Sequence, residues 1–142
     1  MGESVRVRAG TAGDVEEVLA FWRHAAEGTD RKDSAAAVYR LVERDPEALM
    51  LAELDGRLVG TLIAGWDGWR CHLYRLAVDP AHRRQGIART LLAAAERRFT
   101  EAGGIRADAM VLHDNTIAHP AWVAAGYTYQ PQWGRWVKPL TV

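Results

Sequence analysis

The part of the sequence that most constrains the fold is an apolar stretch, an arginine-rich loop and a helix-forming stretch in direct succession. Residues 73–78 resemble a buried strand, and the loop that follows contains the run 83–88, Arg-Arg-Gln-Gly-Ile-Ala. Apolar side chains then recur at helical spacing, at Leu91, Leu92, Ala95 and Phe99. The first backbone N–H groups of such a helix have no partner within it and point outward. The helix dipole and the two arginines of the loop add positive potential at the same place. The sequence therefore predicts an anion site that suits a pyrophosphate.

The loop also admits a plainer interpretation. Arg83 and Arg84 would then be solvated charges, and Gly86 would only turn the chain. A glycine, however, lets an anion approach the backbone closely and lets a loop adopt dihedral angles that other residues avoid. The strand before the loop and the helix after it favour the anion site.

The rest of the pattern predicts short strands and helices along the chain. Val5 and Val7 alternate with arginines, as in a half-buried strand, and Thr11 is placed to cap a helix that includes Trp22. Asp55-Gly56 between two apolar runs is a strong hairpin signal. The order of elements predicts a mixed sheet with helices packed on its faces. The remaining predicted strands are residues 49–54, 58–65, 70–78, 107–112, 127–130 and 133–137, and the remaining helices are residues 35–43, 87–102 and 116–125.

Length and composition limit the class of protein. A chain of 142 residues suits one domain, 1–142, with its own core. Its 18 basic and 18 acidic residues balance, so there is no general attraction to nucleic acid or to an anionic membrane. No apolar run reaches the roughly 20 residues that span a bilayer, and the N-terminus lacks an apolar signal segment. The single cysteine, Cys71, excludes an internal disulfide and a cysteine-built zinc site, so we expect a cytoplasmic protein.

The segment 76–92, LAVDPAHRRQGIARTLL, resembles the acyl-CoA binding motif of the GNAT superfamily of N-acetyltransferases. Arg83, Gly86 and Ala88 match the three defining places of that motif. The resemblance extends to residues 55–69 and 113–128, and the middle of the chain is most similar to small bacterial acetyltransferases of the YpeA type. It implies an α+β GNAT fold, with a mostly antiparallel sheet of six to seven strands and helices on both faces.

The resemblance also implies acetyl-CoA as co-substrate. The arm of the cofactor would lie along the main chain of the strand that ends at Val78, whose N–H is the predicted oxyanion donor. Leu76 and Val78 also suit a core strand, and the two roles are compatible. The cofactor-binding residues implied in this way are Leu76, Ala77, Val78, Arg83, Arg84, Gln85, Gly86, Ile87, Ala88, Arg89 and Asn115.

The groups that move protons differ from the commoner pattern of the family. Trp122 stands where many relatives have an acidic Tyr, and Met110 stands where some have a Glu. His72 is the predicted general base, because imidazole titrates near about 6.5 and several relatives place a catalytic Glu or His there. Strand alternation would put His72, Tyr74, Leu76 and Val78 on one face. Tyr127 and Tyr129 are the predicted substitutes for the acid, although aromatic packing on a closing strand also explains each of them. Tyr74 is a further catalytic candidate.

The acceptor pocket and the metal content follow from weaker signals. Trp22, with loop 27–34, and Trp69 are predicted to line the acceptor site, because six tryptophans are many for this length. His113 and His119 fit no standard metal spacing, so we expect no metal. Asp114 or Asn115 is better interpreted as a helix cap.

These features predict an acetyl-CoA-dependent N-acetyltransferase that acts on a primary amine of a small molecule or peptide. The alternative is a domain that binds acyl-CoA without turnover, which the absent Tyr and Glu favour. A nucleotide- or nucleic-acid-binding module is disfavoured, because the charge is balanced and no phosphate-loop motif is present. Trp133 and Trp136 near the C-terminus suit the surface of a homodimer.

Overall fold

The computed structural model describes residues 4–25 and 33–141. Five strands form one sheet in the order β1–β2–β3–β4–β5. The strands are β1 Val5–Ala9, β2 Leu49–Leu54, β3 Arg57–Trp66, β4 Cys71–Val78 and β5 Ala107–Ala109. The helices are α1 Val15–Ala25, α2 Ala35–Arg44, α3 Ile87–Ala102 and α4 His119–Ala124.

The pairing of the strands confirms a mixed sheet that is mostly antiparallel. Neighbours from β1 to β4 are antiparallel, and only β4 and β5 run parallel. The β2–β3 hairpin forms at the predicted dipeptide, where Asp55 has φ 51° and Gly56 has φ 75°. Two successive residues at positive φ make the tight turn that matches the twist of paired strands.

The predicted number of strands, six to seven, is wrong, because the sheet formed by the described residues has five. Residues 127–130 and 133–137 form no strand in the part of the chain that the structure describes. Trp133 and Trp136 are three residues apart, so a strand would place them on opposite faces, with Arg135 beside one of them. The face with Trp133 would carry Arg135 as well, and Trp136 on the other face is 96% exposed.

Helices cover both faces of the sheet, as predicted. The apolar side chains of α3 are buried against one face of the sheet together with Trp122 of α4. We call this the α3-side cluster, and its helical members are Ile87, Leu91, Leu92, Ala95, Phe99 and Trp122. Helices α1 and α2 pack on the other face with Leu49, Leu51 and Ile63 in the α1-side cluster. Helix α3 ends at Gly103, whose φ of 98° supplies the left-handed cap that a helix end favours.

A carboxylate joins β1 to the start of α1. Asp14 accepts two hydrogen bonds from the Arg8 guanidinium, both at 2.8 Å, and a third from the Thr11 N–H at 2.8 Å. The Arg8 bonds hold the pKa of Asp14 well below its usual range, although partial burial opposes them. A short 3₁₀ turn, Ala12–Asp14, therefore precedes the α-helix that the sequence predicts from Thr11.

Candidate active site

A β-bulge interrupts β4 in the middle of the predicted cofactor strand. Thr61 of β3 pairs with Ala77, but Ile63 pairs with Tyr74, so β4 contains one extra residue between these points. Arg75 lies in the bulge with φ 58°. Because of the extra residue, each side chain of β4 after the bulge lies on the face opposite to the one that regular alternation from Tyr74 would give it.

The predicted common face for residues 72, 74, 76 and 78 is therefore wrong. His72 and Tyr74 pair with Gly65 and Ile63, whose side of the sheet carries α1 and α2. Leu76 and Val78 instead pack against the α3-side cluster, on the same side as Cys71 and Leu73. Two of the predicted catalytic side chains and two of the predicted cofactor-strand side chains thus lie on opposite faces.

Trp22, Thr61 and Arg75 hold the bulge in place. The Trp22 indole N–H donates to the Thr61 hydroxyl at 2.9 Å, and that hydroxyl donates to the Arg75 carbonyl at 2.9 Å. The Arg75 guanidinium lies 4.9 Å from the centroid of the Trp22 ring and pairs with Asp33. Trp22 is buried, and these contacts stabilise the bulge.

Beyond Leu73, the edge of β4 that faces β5 is open, since no described strand pairs with it there. Strand β5 pairs only with Cys71, His72 and Leu73. The Asp79 N–H donates to the Val59 carbonyl at 2.9 Å, which makes residues 59 and 79 a hydrogen-bonded pair. Such pairs alternate in an antiparallel ladder, so the N–H of Val78 points away from β3 and toward the open edge. A backbone donor is therefore available to a ligand that enters between the separating strands.

The loop after β4 has the backbone geometry of an anion site. Arg84 has φ 64° and Gly86 has φ 79°, with the first residue of α3, Ile87, directly after them. Left-handed residues alternating with residues at negative φ turn successive N–H groups toward a common centre, which attracts anions. The helix dipole adds positive potential there. A side chain on Gly86 would meet nothing within 4 Å, so this position requires glycine only for its dihedral angle.

The other predicted cofactor residues lie in this loop, at the start of α3 and after β5. Arg84 and Gln85 are exposed, and Arg83 and Ala88 are half-buried. Arg89 donates to the Ala124 carbonyl at 3.3 Å, which directs it toward α4. Asn115 lies after β5, where its Oδ1 accepts from the Ala118 N–H at 3.3 Å. The prediction that Asp114 or Asn115 caps the helix is wrong, because α4 begins late, at His119, with Ala118 as its N-cap and Pro120 in its first turn.

His72 pairs with a carboxylate that sequence reasoning missed. Its Nδ1 lies 2.8 Å from Oδ1 of Asp108, the residue directly opposite it on β5. The other oxygen of Asp108 lies 3.6 Å from Arg70. Tyr74, on the same face as His72, is half exposed and its hydroxyl covers Gly65. The only sequence signal for Asp108 is an acidic residue within a short apolar strand.

Tyr127 lies elsewhere, against the α3-side cluster. Its hydroxyl donates to Glu96 at 2.8 Å, and its ring contacts Trp122 edge to face with centroids 5.1 Å apart. Burial, and then the bond to Glu96, raises the pKa of Tyr127 well above its usual range. A phenol held in this way is a poor proton donor, so the structure gives no support to its predicted role as an acid.

Three further observations concern ligands. Trp69 is 87% exposed in the turn between β3 and β4.

No group of three or more His, Cys, Asp or Glu side chains suited to a metal ion occurs in residues 4–25 and 33–141. An open cavity of about 480 Å³ lies between β1 and α3, away from the loop, but its Arg8 and Arg98 are already paired with carboxylates. That cavity therefore gives no reason to place a charged ligand there.

The chain is similar to known acetyltransferases over most of its length. The acetyltransferase (GNAT) family matches residues 15–127. An acetyltransferase of Yersinia pestis (strain Pestoides F) is 33% identical over 102 residues, which are 72% of this chain and 72% of that protein.

Two solved structures share the fold. Aminoglycoside N-acetyltransferase AAC(6′)-Iy in complex with CoA is 20% identical with a TM-score of 0.76, and 97% of each chain is covered. The acetyltransferase yncA from Salmonella typhimurium with its cofactor acetyl-CoA is 19% identical with a TM-score of 0.73, covering 88% of this chain and 80% of that one. The family match and the Yersinia pestis relative show that the chain belongs to the GNAT family of acetyltransferases.

Proposed function

We propose that this acetyltransferase moves the acetyl group of acetyl-CoA to a primary amine of a small molecule or a peptide, by direct attack of the amine on the thioester. The observation that carries the proposal is the anion-binding loop at the start of α3, directly downstream of the open edge of β4. The two features match two neighbouring parts of an acyl-CoA: its pyrophosphate and its extended arm with hydrogen-bonding amides.

In this proposal the cofactor is held mainly by backbone groups. The N–H groups of residues 84–88 bind the pyrophosphate, with the side chains of Arg83, Arg84 and Arg89 adding positive charge. The main chain of Leu76, Ala77 and Val78 binds the arm. The Val78 N–H donates to the thioester oxygen, where negative charge develops as the amine attacks.

The acceptor amine has to lose a proton before or during the attack. An amine that titrates near about 10.4 is neutral in roughly one molecule per few thousand at pH 7, at a cost of about 4–5 kcal/mol. His72 is the proposed general base, with Tyr74 beside it on the same face. Amine acceptors are supported by AAC(6′)-Iy, whose name describes an aminoglycoside N-acetyltransferase. Trp69 and Trp22 remain the predicted acceptor-site residues, while residues 26–32 of the neighbouring loop lie outside the described residues.

The leaving thiol needs little help. A thiol titrates near about 8.5, so a thiolate can depart at neutral pH without a strong acid. Trp122 in the usual place of a Tyr is therefore compatible with turnover, and the proposal does not depend on Tyr127.

The alternative function, acyl-CoA binding without turnover, is favoured by one observation: the Tyr127 hydroxyl is committed to Glu96. An assay of free CoA release across a panel of primary amines separates the two functions. Release that depends on an amine supports the transferase. Tight acetyl-CoA binding with no release for any amine contradicts it and favours the sensor.

The proposal also covers the partner of this chain, its location and its subfamily. A second copy of this chain is the proposed partner, because Trp133, Trp136 and Leu140 are exposed and the outer edge of β5 has no neighbour in the described sheet. The proposed location is the cytoplasm, which rests on the single, buried Cys71. None of the described helices has the length and apolar character needed to cross a membrane. The similarity to YpeA-type proteins stays a prediction.

A further inference from the structure

His72 and Asp108 meet at the point where β4 and β5 begin to separate. They are opposite each other in the parallel pair, and the next pair, Leu73 and Ala109, is the last one between these strands. The two side chains are 37% and 44% exposed, so solvent and a ligand can both reach them. The pair therefore lies at the closed end of the opening that begins beyond Leu73.

The contact uses a specific nitrogen of the imidazole. Nδ1 lies 2.8 Å from Oδ1 of Asp108, and a carboxylate accepts only, so Nδ1 carries the hydrogen when the ring is neutral. Nε2 is then the unprotonated nitrogen and is the atom that can accept a proton. A carboxylate that fixes the tautomer in this way also stabilises the imidazolium formed when Nε2 is protonated.

The charged groups around this pair come from two segments, the turn between β3 and β4 and strand β5. Arg70, just before β4, lies 3.6 Å from the second oxygen of Asp108 and helps to hold the carboxylate. Asp67, in the turn after β3, accepts from the N–H groups of Trp69 and Arg70 at 2.7 Å, and it is close enough to His72 for their charges to interact. Asp108 itself comes from β5. The anchored turn and the strand pairing both limit the movement of the carboxylate.

We propose that Asp108 is a positioning residue that holds His72 as the Nδ1–H tautomer, so that Nε2 serves as the general base toward the acceptor amine. This inference rests on the proposed transferase function. The amine nitrogen forms a bond to the acetyl carbon, the C–S bond breaks, and CoA leaves as a thiolate. The proton lost by the nitrogen passes to Nε2 and then to solvent, while the thiolate takes a proton from solvent according to pH.

The competing explanation is an ordinary surface ion pair. Pairs as exposed as this one contribute little to stability, so stability alone cannot separate the two roles. Three measurements distinguish a positioning role from a surface ion pair. They are the tautomer of His72, the pH dependence of turnover, and the effect of changing His72 and Asp108 together on the rate. Asp108→Asn is the test variant, Asp108→Glu is the conservative variant, and Asp114→Asn is the matched control. Asp114 is exposed in the loop after β5.

The first measurement is the tautomer, read from the two side-chain ¹⁵N shifts of His72 by NMR at a pH where the ring is neutral. We expect the Nδ1–H tautomer in the wild type and in Asp114→Asn, and a mixture or the Nε2–H tautomer in Asp108→Asn. An Nε2–H tautomer in the wild type overturns the proposal. This measurement needs no turnover, so it decides the inference even if no amine is acetylated and the proposed function fails.

The second measurement is the kinetics with an amine that the wild type acetylates. We expect Asp108→Asn to lower kcat about 10- to 100-fold at pH 7, with a KM for acetyl-CoA within about twofold of the wild type. The deficit should shrink toward the pH at which the amine loses its own proton, and Asp108→Glu should recover part of the rate. The double variant His72→Ala with Asp108→Asn should be no slower than His72→Ala alone. A loss independent of pH, or one that adds to the loss in His72→Ala, contradicts the proposal.

Discussion

The side chain of Arg84 is the most direct residue-scale test of the anion-binding loop. It is exposed and lies at φ 64°, where it shapes the loop without supporting the core. Arg84→Glu should raise the Kd for acetyl-CoA by at least about tenfold, because a negative charge replaces a charge-assisted partner of the phosphates. The melting temperature without ligand should stay close to that of the wild type.

The matched control is Arg97→Glu, the same change of charge. Arg97 is an exposed residue in the second half of α3, away from the loop. Isothermal titration calorimetry on the three proteins gives the comparison. Equal affinities in the wild type and Arg84→Glu would remove the loop from the cofactor site.

His72 gives the second residue-scale prediction. His72→Ala should lower turnover at pH 7, and the deficit should become smaller as the pH approaches the pKa of the acceptor amine, which then supplies its own neutral form. His113→Ala, at an exposed position with an edge contact to Tyr129, is the control and should leave the pH profile unchanged. A deficit of equal size at every pH would assign His72 a structural role.

At the scale of elements, turns that one or two residues decide were predicted correctly, whereas the strands predicted at 127–130 and 133–137 do not form and the long-range contacts were not predicted. The Asp55-Gly56 hairpin and the end of α3 at Gly103 depend on dihedral angles that a dipeptide or one glycine decides. The β4 bulge depends on Trp22 reaching Thr61, 39 residues away in sequence. The His72–Asp108 contact joins residues 36 apart through the register of two strands. Neither contact has a local pattern from which it could be derived.

The connection between β1 and α1 gives a prediction about stability and pH. Asp14→Asn removes the charge that Arg8 and the Thr11 N–H hold, and we expect a loss of about 1–2 kcal/mol in the free energy of unfolding at pH 7. The value is modest because the Arg8 side chain is 37% exposed. Since the folded-state pKa of Asp14 is depressed, its contribution is present above the unfolded pKa, near about 4, and declines as the pH falls below that value.

Urea unfolding of both proteins from pH 7 to pH 3 measures this difference, which should narrow below about pH 4. Glu16→Gln, an exposed change in the first turn of α1, should alter stability by less than about 0.5 kcal/mol. A difference between wild type and Asp14→Asn that is constant with pH would mean that the charge of Asp14 contributes nothing.

At the scale of the whole molecule, the C-terminal segment exposes several large apolar side chains. Trp133, Trp136, Val137 and Leu140 are all exposed, and so large an apolar surface typically marks an interface. We expect the wild type to be a dimer by light scattering at micromolar concentration, and Trp136→Ser to shift it toward the monomer. Trp69→Ser, which removes an exposed tryptophan outside this segment, should remain dimeric. A monomeric wild type would contradict the proposed partner.

The central claim is that the open edge of β4 and the loop before α3 together form one acetyl-CoA site. The most direct test is the titration of ¹⁵N-labelled protein with acetyl-CoA, followed by backbone amide shifts. We predict that the largest changes occur at residues 76–78 and 84–88, on both sides of the turn Pro80–His82. Changes centred on the cavity between β1 and α3, with residues 76–78 and 84–88 unaffected, would contradict the account.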